Sequence, residues 1–392
     1  MTGAAARLVA RRPGLVVPRP LPGGGTFPLT AVRTGPAGRV PVLVVPGGPG
    51  LASVLPFRGL RAAATRRGLD LIMVEHRGVG LSRRDGHGRD LPLEAVTVEA
   101  AADDLAAVLD ATGTERAVVY GSSYGSYLAQ VFAVRHPHRL AALVLDSPVL
   151  SVVDDLAVIR ANRRRLFWDG AEPALAPMAA AVRDLADVVP PPELAHVVEV
   201  AYEFAGPEVL LRLLRARRAG RLRRTWRLLD RFDADSSSGV PYLVEPDLVA
   251  GIACGQLGFG LPPDGSPLDP QLRAPAPDRP AFRGEPYDLP AHLRALAVPL
   301  VVVSGERDLR TPRAVAERAA GLAPDAVLVP LRDTGHSALD GHQLAALDIA
   351  AAAVARATHR LPALAGRLSA LPRRGHSRWL GTALRAVTAA GA

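Results

Sequence analysis

The sequence has little that could form covalent cross-links, metal clusters or membrane spans. Its 392 residues include one cysteine, Cys254. A lone cysteine cannot form an intrachain disulfide and cannot by itself make a zinc cluster, so we interpret Cys254 as a small buried hydrophobe. No run of about 18 or more apolar residues is present, so stable membrane insertion is not expected. The sequence implies no metal and no organic cofactor.

Aromatic residues and lysine are also scarce. Phe, Trp and Tyr make up 4% of the chain, so the core must be built mainly from Ala, Val and Leu. Lysine is absent, and the 47 arginines leave a formal net charge of +9. Such a charge can indicate nucleic-acid or membrane-surface binding. Because the arginines are spread along the chain without a nucleic-acid-binding motif, we expect no nucleic-acid partner.

The first residues do not have the pattern of a secretory leader. Arg7, Arg11 and Arg12 are followed by several prolines and not by a sustained apolar run. A leader peptide needs such a run behind its basic residues. A cytoplasmic location is therefore expected, and nothing in the sequence indicates an oligomeric state.

Short apolar runs alternate with amphipathic helical stretches over two parts of the chain. Buried strands are predicted at 40–45, 69–75, 116–120, 140–146, 298–304 and 326–330, and helices at 55–67, 97–112, 123–136, 312–322 and 341–357. Continuously apolar strands separated by helices are typical of a parallel sheet covered on both faces. The predicted fold class is therefore α/β.

The remaining segments break this rhythm. Residues 1–150 and 295–357 are predicted to form the core, whereas residues 151–294 contain helical segments without a convincing parallel strand. We interpret 151–294 as an inserted α-helical cap with predicted helices at 152–168, 177–189, 192–204 and 208–232. Residues 358–392 form a basic, Ala/Leu-rich tail that could dock as short helices or stay mobile.

A candidate nucleophile lies between a predicted strand and a predicted helix. Residues Gly121–Gly125 match G-x-S-x-G, with Ser123 at the centre. A sharp strand-to-helix turn presents the central hydroxyl above the sheet, and the flanking glycines allow the close chain crossing that the turn needs. The helix N-terminus also favours the negative charge that develops in acyl transfer. The context therefore predicts Ser123 as a nucleophile.

The base and the acid that would activate this serine follow later in the chain. A serine hydroxyl needs a base to accept its proton, and His336 lies in the loop after the last predicted strand. Asp308 follows the preceding strand, 28 residues ahead of His336, and the order Ser–Asp–His suits this arrangement. Asp146 is the alternative acid. His342 is the nearest alternative base, but it is predicted to lie inside a helix.

Two backbone N–H groups are expected to form an oxyanion hole. One donor is that of Tyr124, the residue after the nucleophile. The other should come from the glycine-rich loop after the 40–45 strand, where we favour Gly48 over Gly47. Pro49 cannot donate because it has no N–H.

Together these motifs resemble the prolyl aminopeptidase and tripeptidyl aminopeptidase-like branch of the α/β-hydrolase fold. The branch usually has His-Gly-Gly-Pro-Gly where this chain has 46–50 as Pro-Gly-Gly-Pro-Gly. It has Asp-Gln-Arg-Gly where this chain has 75–78 as Glu-His-Arg-Gly. Residues 121–128, 304–312 and 333–337 also fit its nucleophile, acid and base segments. The resemblance implies a mostly parallel sheet with an inserted α-helical cap.

The resemblance also implies an aminopeptidase activity. Prolyl aminopeptidases bind the substrate's free α-amine through cap carboxylates in an Asn-Glu-x-His-Tyr-Phe stretch, of which only 202–204 (Tyr-Glu-Phe) is a fragment here. Candidate cap carboxylates are Glu203 and Glu245, then Glu208 and Asp247; the alternative interpretation of each is a solvated surface carboxylate.

Three functions remain open at this stage. The first is an aminopeptidase that releases N-terminal residues from small peptides. The second is a carboxylesterase or lactonase that acts on small esters. The third is a catalytically inactive binding protein of the same fold.

Arg77 is expected to order the loop beside the site.

Overall fold

The computed structural model describes residues 14–232, 239–273, 279–373 and 376–390, so the predicted absence of a leader in residues 1–13 lies outside the described residues. One sheet has the strand order β1-β2-β4-β3-β5-β6-β7-β8. Its strands are β1 (Gly14–Pro20), β2 (Thr26–Thr34), β3 (Val42–Val45), β4 (Leu71–Val74), β5 (Ala117–Ser122), β6 (Leu140–Asp146), β7 (Leu300–Gly305) and β8 (Ala326–Leu331). Strands β4, β3, β5, β6, β7 and β8 pair in parallel, and β2 is antiparallel to both of its neighbours.

The central strands have the burial that their sequences predict. Every residue of β3, β4, β5 and β7 is buried, because helices cover both faces of the sheet. Edge strand β8 is only partly buried. The predicted mostly parallel sheet is present, with strand bounds that differ from the predicted ones by a few residues.

Neither β1 nor β2 was predicted, since the predicted strands begin at residue 40. Strand β1 lies at the edge of the sheet. It pairs along its whole length with β2, and it contains Pro18 and Pro20. Since β1 is an edge strand, its outward N–H groups have no ladder partner, and proline is tolerated at such an edge.

Thirteen of the fifteen α-helices among the described residues fall into three groups by packing. The fifteen helices are α1 (Arg58–Thr65), α2 (Val98–Ala111), α3 (Tyr124–Arg135), α4 (Val152–Arg164), α5 (Ala176–Ala186), α6 (Pro191–Ala205), α7 (Pro207–Arg218), α8 (Arg223–Asp230), α9 (Ala250–Ala253), α10 (Leu289–Arg294), α11 (Arg313–Leu322), α12 (Ala338–Gly341), α13 (Gln343–Val354), α14 (Leu361–Ser369) and α15 (His376–Ala390). Helices α2, α3, α10 and α11 cover one face of the sheet. Helices α1, α12, α13 and α14 cover the other.

Helices α5 to α8 form a separate apolar cluster that α15 completes. Leu384 of α15 is 3% exposed within this cluster. A Cβ on Gly381 would lie 2.5 Å from the Phe204 carbonyl oxygen, so α15 packs closely against the end of α6. Over its described residues the basic tail therefore contains two α-helices: α14 packs on the sheet, and α15 packs against α6 and α7.

Two predicted helices are each divided in the structure. The predicted helix 208–232 breaks into α7 and α8, because the chain turns at Gly220 and Leu222, both of which have positive φ. Gly220 follows several arginines, which is a C-terminal signal that the apolar spacing concealed. The predicted helix 341–357 begins earlier, as α12, and restarts as α13. No helix among the described residues is long and apolar enough to cross a membrane.

Candidate active site

Ser123 stands on a strained turn between β5 and α3. Its backbone has φ 53° and ψ −123°, a left-handed conformation that a serine adopts only where the surroundings enforce it. Its N–H donates to the Asp146 carbonyl oxygen, 2.9 Å away. A Cβ on Gly125 would lie 2.0 Å from the Val45 carbonyl oxygen. The turn therefore depends on glycine, because β3 passes directly against the start of α3.

The structure brings Ser123, His336 and Asp308 together. The Ser123 Oγ lies 2.8 Å from the His336 Nε2, and the His336 Nδ1 lies 3.0 Å from an Asp308 carboxylate oxygen. Because the carboxylate can only accept at Nδ1, a neutral imidazole carries its proton there. The Nε2 is then free to accept the serine proton.

The Asp308 carboxylate is held by its own loop. It is 3% exposed and accepts hydrogen bonds from the backbone N–H of Arg310 and from the N–H and hydroxyl of Thr311, at 2.8–3.0 Å. Burial by itself would raise its pKa, but the attraction of His336 and these hydrogen bonds outweigh burial and hold the pKa below the usual value. Asp308 is therefore ionised when it faces the imidazole.

The same pair sets the basicity of His336. Burial lowers the pKa of the imidazole, but the charge and hydrogen bond of Asp308 outweigh burial and raise the pKa above its ordinary value. A raised pKa makes the imidazole a better proton acceptor.

Asp146, the alternative acid, lies elsewhere. Its oxygens accept the N–H groups of Ala338 and Leu339, at 3.0 and 2.8 Å, and the Tyr120 hydroxyl at 3.0 Å. Burial raises its pKa to about 6 despite these bonds. Asp146 therefore caps α12 just after the base loop, and its contacts are not with the imidazole.

Three serines that sequence reasoning did not consider connect these loops. The Ser122 Oγ lies 2.6 Å from the Ser337 Oγ. The Ser147 Oγ accepts the Ser337 N–H at 2.9 Å, and its hydroxyl also hydrogen-bonds Asp308. Each of these residues adjoins a candidate already named from the sequence, which is the one signal that could have found them.

His342, the alternative base, is buried behind the site. It lies between α12 and α13 and is fully buried, with its Nε2 3.3 Å from the Ser369 carbonyl oxygen. Burial lowers its pKa. Its described contacts are with α14 and not with Ser123.

The oxyanion loop lies against the nucleophile. A Cβ on Gly47 would lie 3.3 Å from the Ser123 Cβ, closer than an ordinary contact, so a side chain at residue 47 would push the loop and Ser123 apart by a few tenths of an ångström. Gly48 follows with φ 128° and a cis peptide bond to Pro49. Among the described residues, the N–H groups of Gly48 and Tyr124 donate to no protein acceptor. Both N–H groups are therefore available.

Glu203 of α6 lies beside the acid and base loops. It is 4% exposed, and one carboxylate oxygen accepts the Leu309 N–H at 3.0 Å. The other oxygen is 3.6 Å from the Arg310 Nε. Burial raises the pKa of Glu203 to about 7. The surface interpretation of Glu203 is therefore wrong, because its carboxylate is buried against the acid loop.

Glu245 is also buried, but its partners differ. Its carboxylate accepts the Gly80 N–H and lies 3.8 Å from the Arg83 Nη1. Its own N–H donates to the Gly50 carbonyl oxygen at 2.8 Å. Glu245 therefore holds the oxyanion loop through its backbone bond to Gly50. The interpretation of Glu245 as a solvated surface carboxylate is also wrong, because the residue is buried. Glu208 is exposed, and Asp247 pairs with Arg83 at the surface.

Arg77 orders the neighbouring loop, as expected. Its guanidinium binds both Asp104 oxygens, at 2.7 and 2.6 Å, and the Ala95 carbonyl oxygen at 2.6 Å.

The described residues contain no group of three or more His, Cys, Asp or Glu that could hold a metal ion. Cys254 is buried.

Comparisons with known proteins address the fold. The family model described as alpha/beta hydrolase fold matches residues 40–172. The solved structure of VinJ superimposes with a TM-score of 0.50 at 19% identity, covering 86% of this chain and 98% of that one. The chain has the α/β-hydrolase fold, and the predicted fold class is confirmed.

Two curated relatives are similar over shorter segments. A probable proline iminopeptidase of Streptomyces coelicolor is 28% identical over 144 residues, 37% of this chain and 44% of that protein. The lipase LipV of Mycobacterium tuberculosis is 34% identical over 106 residues, 27% of this chain and 41% of that protein. The first match supports the predicted resemblance to the prolyl aminopeptidase branch. The chain spans less than half the length of the curated relatives it matches.

Proposed function

We propose that this chain of the α/β-hydrolase fold is a serine hydrolase that forms an acyl-enzyme on Ser123. The observation that carries the proposal is the continuous hydrogen-bonded series from the Ser123 Oγ through the His336 ring to Asp308. A nucleophile, a base and an orienting carboxylate in this order form a catalytic triad.

The mechanism follows from these contacts. His336 takes the Ser123 proton at Nε2 as the hydroxyl oxygen attacks the substrate carbonyl carbon. The carbonyl oxygen gains negative charge, which the N–H groups of Gly48 and Tyr124 stabilise. The imidazolium is stabilised by Asp308 and returns the proton to the leaving group. Water then attacks the carbonyl carbon of the acyl-enzyme while His336 takes one of its protons at Nε2. The bond between that carbon and the Ser123 Oγ breaks, the Oγ takes the proton from the imidazolium, and the carboxylic acid is released.

We propose that residues 151–294 act as a cap over this site, as the sequence predicts. Glu203 supports this assignment, because it is a residue of the insertion that lies against the acid loop. By packing, α10 belongs with the core, although the sequence boundary places it at the end of the insertion. A small peptide or ester is the expected substrate, and the cytoplasmic location stays a prediction.

Two substrate classes are candidates. The similarity to a probable proline iminopeptidase favours an aminopeptidase that acts on small peptides. The engagement of Glu203 with Leu309 and Arg310, and of Glu245 with Gly80 and Arg83, favours an esterase. Carboxylates that already have buried partners are poorly placed to bind a substrate amine without losing those partners.

Hydrolysis of aminoacyl p-nitroanilides and p-nitrophenyl esters distinguishes these candidates, with Ser123→Ala as the control. Turnover of anilides that is lost when the α-amine is blocked supports the aminopeptidase. Turnover of esters alone supports the esterase. Equal inactivity of wild type and Ser123→Ala, together with no labelling of Ser123 by a fluorophosphonate, would refute the proposal and favour an inactive binding protein.

A further inference from the structure

The side chain of Tyr124 is anchored outside its own helix. Its hydroxyl lies 2.8 Å from the His76 Nε2, and the two rings lie with their centroids 5.7 Å apart. Tyr124 is 2% exposed. The backbone N–H of this same residue is the first donor of the proposed oxyanion hole.

The direction of the hydrogen bond follows from the other side of the His76 ring. The His76 Nδ1 lies 2.6 Å from the Arg77 carbonyl oxygen. A carbonyl oxygen can only accept, so Nδ1 carries the ring proton. The Nε2 of a neutral imidazole then has only a lone pair, and the Tyr124 hydroxyl must donate to it. Burial lowers the pKa of His76 to about 4, which keeps the ring neutral at physiological pH.

The anchor of this pair is itself rigid. The Arg77 guanidinium is fixed by Asp104 and by the Ala95 carbonyl oxygen, at 2.6–2.7 Å. The carbonyl oxygen that orients His76 therefore belongs to a residue whose side chain is held by three hydrogen bonds.

The pair lies beneath the oxyanion loop. His76 and Tyr124 line a cavity of ≈ 20 Å³ together with Gly47 and Gly50, a space for about one water molecule. Gly47 in turn lies against Ser123. The Tyr124 side chain, on the helix that carries one proposed oxyanion donor, therefore borders the same cavity as the loop that carries the other.

We propose that His76 is a positioning residue for the oxyanion hole and acts through the Tyr124 hydroxyl. The inference rests on the proposed function, since an oxyanion hole has a role only if Ser123 forms tetrahedral intermediates. Holding the ring restricts movement of the first turn of α3, and with it the direction of the Tyr124 N–H. Donors stabilise a developing oxyanion only when they are aligned before the charge appears.

Tyr124→Phe tests this, with Tyr127→Phe as its matched control. Tyr127 lies one turn further along α3, and its hydroxyl is buried without a hydrogen-bond partner among the described residues. The control therefore removes a buried hydroxyl on the same helix without removing a hydrogen bond. For Tyr124→Phe we expect kcat to fall about tenfold with KM unchanged, less than the ~10²–10³-fold loss that follows removal of a whole oxyanion donor.

A transition-state analogue separates positioning from a merely structural role. A boronic acid that forms a tetrahedral adduct with Ser123 should bind Tyr124→Phe more weakly by the same factor as the fall in kcat. His76→Ala should lose a similar factor. His76→Gln should recover most of it, because the Gln side-chain oxygen can accept from the Tyr124 hydroxyl.

Two contrary outcomes distinguish a failure of the His76 inference from a failure of the proposed function. Equal kcat and boronic-acid affinity in Tyr124→Phe and Tyr127→Phe would overturn the inference and leave the proposed function intact. Wild type that binds no boronic acid and reacts with no fluorophosphonate would overturn both. Nitrogen-15 NMR of the histidine rings gives an activity-independent check: a His76 protonated at Nε2 at pH 7 would also overturn the inference.

Discussion

Replacing Gly125 by alanine tests how closely the nucleophile turn and the oxyanion loop are packed. The new Cβ would lie 2.0 Å from the Val45 carbonyl oxygen and 2.5 Å from that of Pro46. An ordinary contact begins at 3.4 Å, so the Val45 oxygen must move away by about 1.4 Å and the Pro46 oxygen by about 0.9 Å. Both atoms belong to the backbone, so no side-chain rotation can relieve the overlap.

The overlap has two expected consequences. Overpacking of this kind destabilises a protein by about 1–3 kcal/mol. Val45 and Pro46 lead directly into the loop that carries Gly47 and Gly48, so the displacement moves the loop away from Ser123. A misplacement of about 1 Å costs roughly 100-fold in rate. We therefore expect Gly125→Ala to lose at least about 100-fold in kcat on whichever substrate wild type turns over.

Urea unfolding and turnover measure both effects, and Gly321→Ala is the matched control. Gly321 lies in α11, where an added Cβ would meet nothing within 4 Å. Its replacement should leave activity unchanged and stabilise the protein by up to about 1 kcal/mol. If Gly125→Ala unfolds at the wild-type urea concentration and keeps its rate within twofold, the inferred close approach of β3 to α3 is wrong.

Three further variants test the charges and the packing around the site. Asp308→Asn should lower kcat by about 10³–10⁴-fold and move the acid limb of the pH–rate profile to lower pH, since the attraction that raises the pKa of His336 is lost; an unmoved limb would contradict this. Burial raises the pKa of Glu203 from 4.5 to about 7, so the folded protein holds the Glu203 proton more tightly than the unfolded chain does. The stabilisation from this protonated carboxyl is complete below about pH 4.5 and is lost as the pH rises through 7. Wild type should therefore lose about 3 kcal/mol relative to Glu203→Gln over that window, whereas a pH-independent difference in urea unfolding would show that Glu203 does not titrate there. Leu384→Ala, at a position 3% exposed in α15, should destabilise the protein by about 2–5 kcal/mol, while Val387→Ala on the same helix, 39% exposed, should change the unfolding free energy by less than about 0.5 kcal/mol.

The parallel strands and the three triad candidates could be predicted because their signals are local. Each central strand is a continuous apolar run, and its carboxyl end is followed by the residue of interest: Ser123 after β5, Asp308 after β7 and His336 after β8. Since parallel strands end at the same edge of the sheet, chain order alone predicts which loops meet there. Their roles stay predictions until activity is measured.

The rest could not be predicted because it depends on contacts between distant parts of the chain. Glu203 meets Leu309 across 106 residues, and Glu245 meets Gly80 across 165. Neither a carboxylate on an amphipathic helix, as Glu203 is, nor one in a loop, as Glu245 is, gives any sign of such a partner in the sequence, so solvation was the reasonable interpretation of both. Strand β1, which contains Pro18 and Pro20, lacks the continuous apolar run that identified the central strands, and proline is tolerated there because β1 lies at the edge of the sheet.

The packing of α15 against α6 and α7 has a consequence for how the protein folds while it is being synthesised. A ribosome adding about 5–20 residues per second delivers α15 roughly 170 residues, or about 9–34 s, after α6. Through that interval the face of α6 that later contacts α15 is uncovered, and Leu384 is not yet there to close the cluster. The helix that carries Glu203 to the acid loop therefore reaches its final support only after both loops of the site have been made.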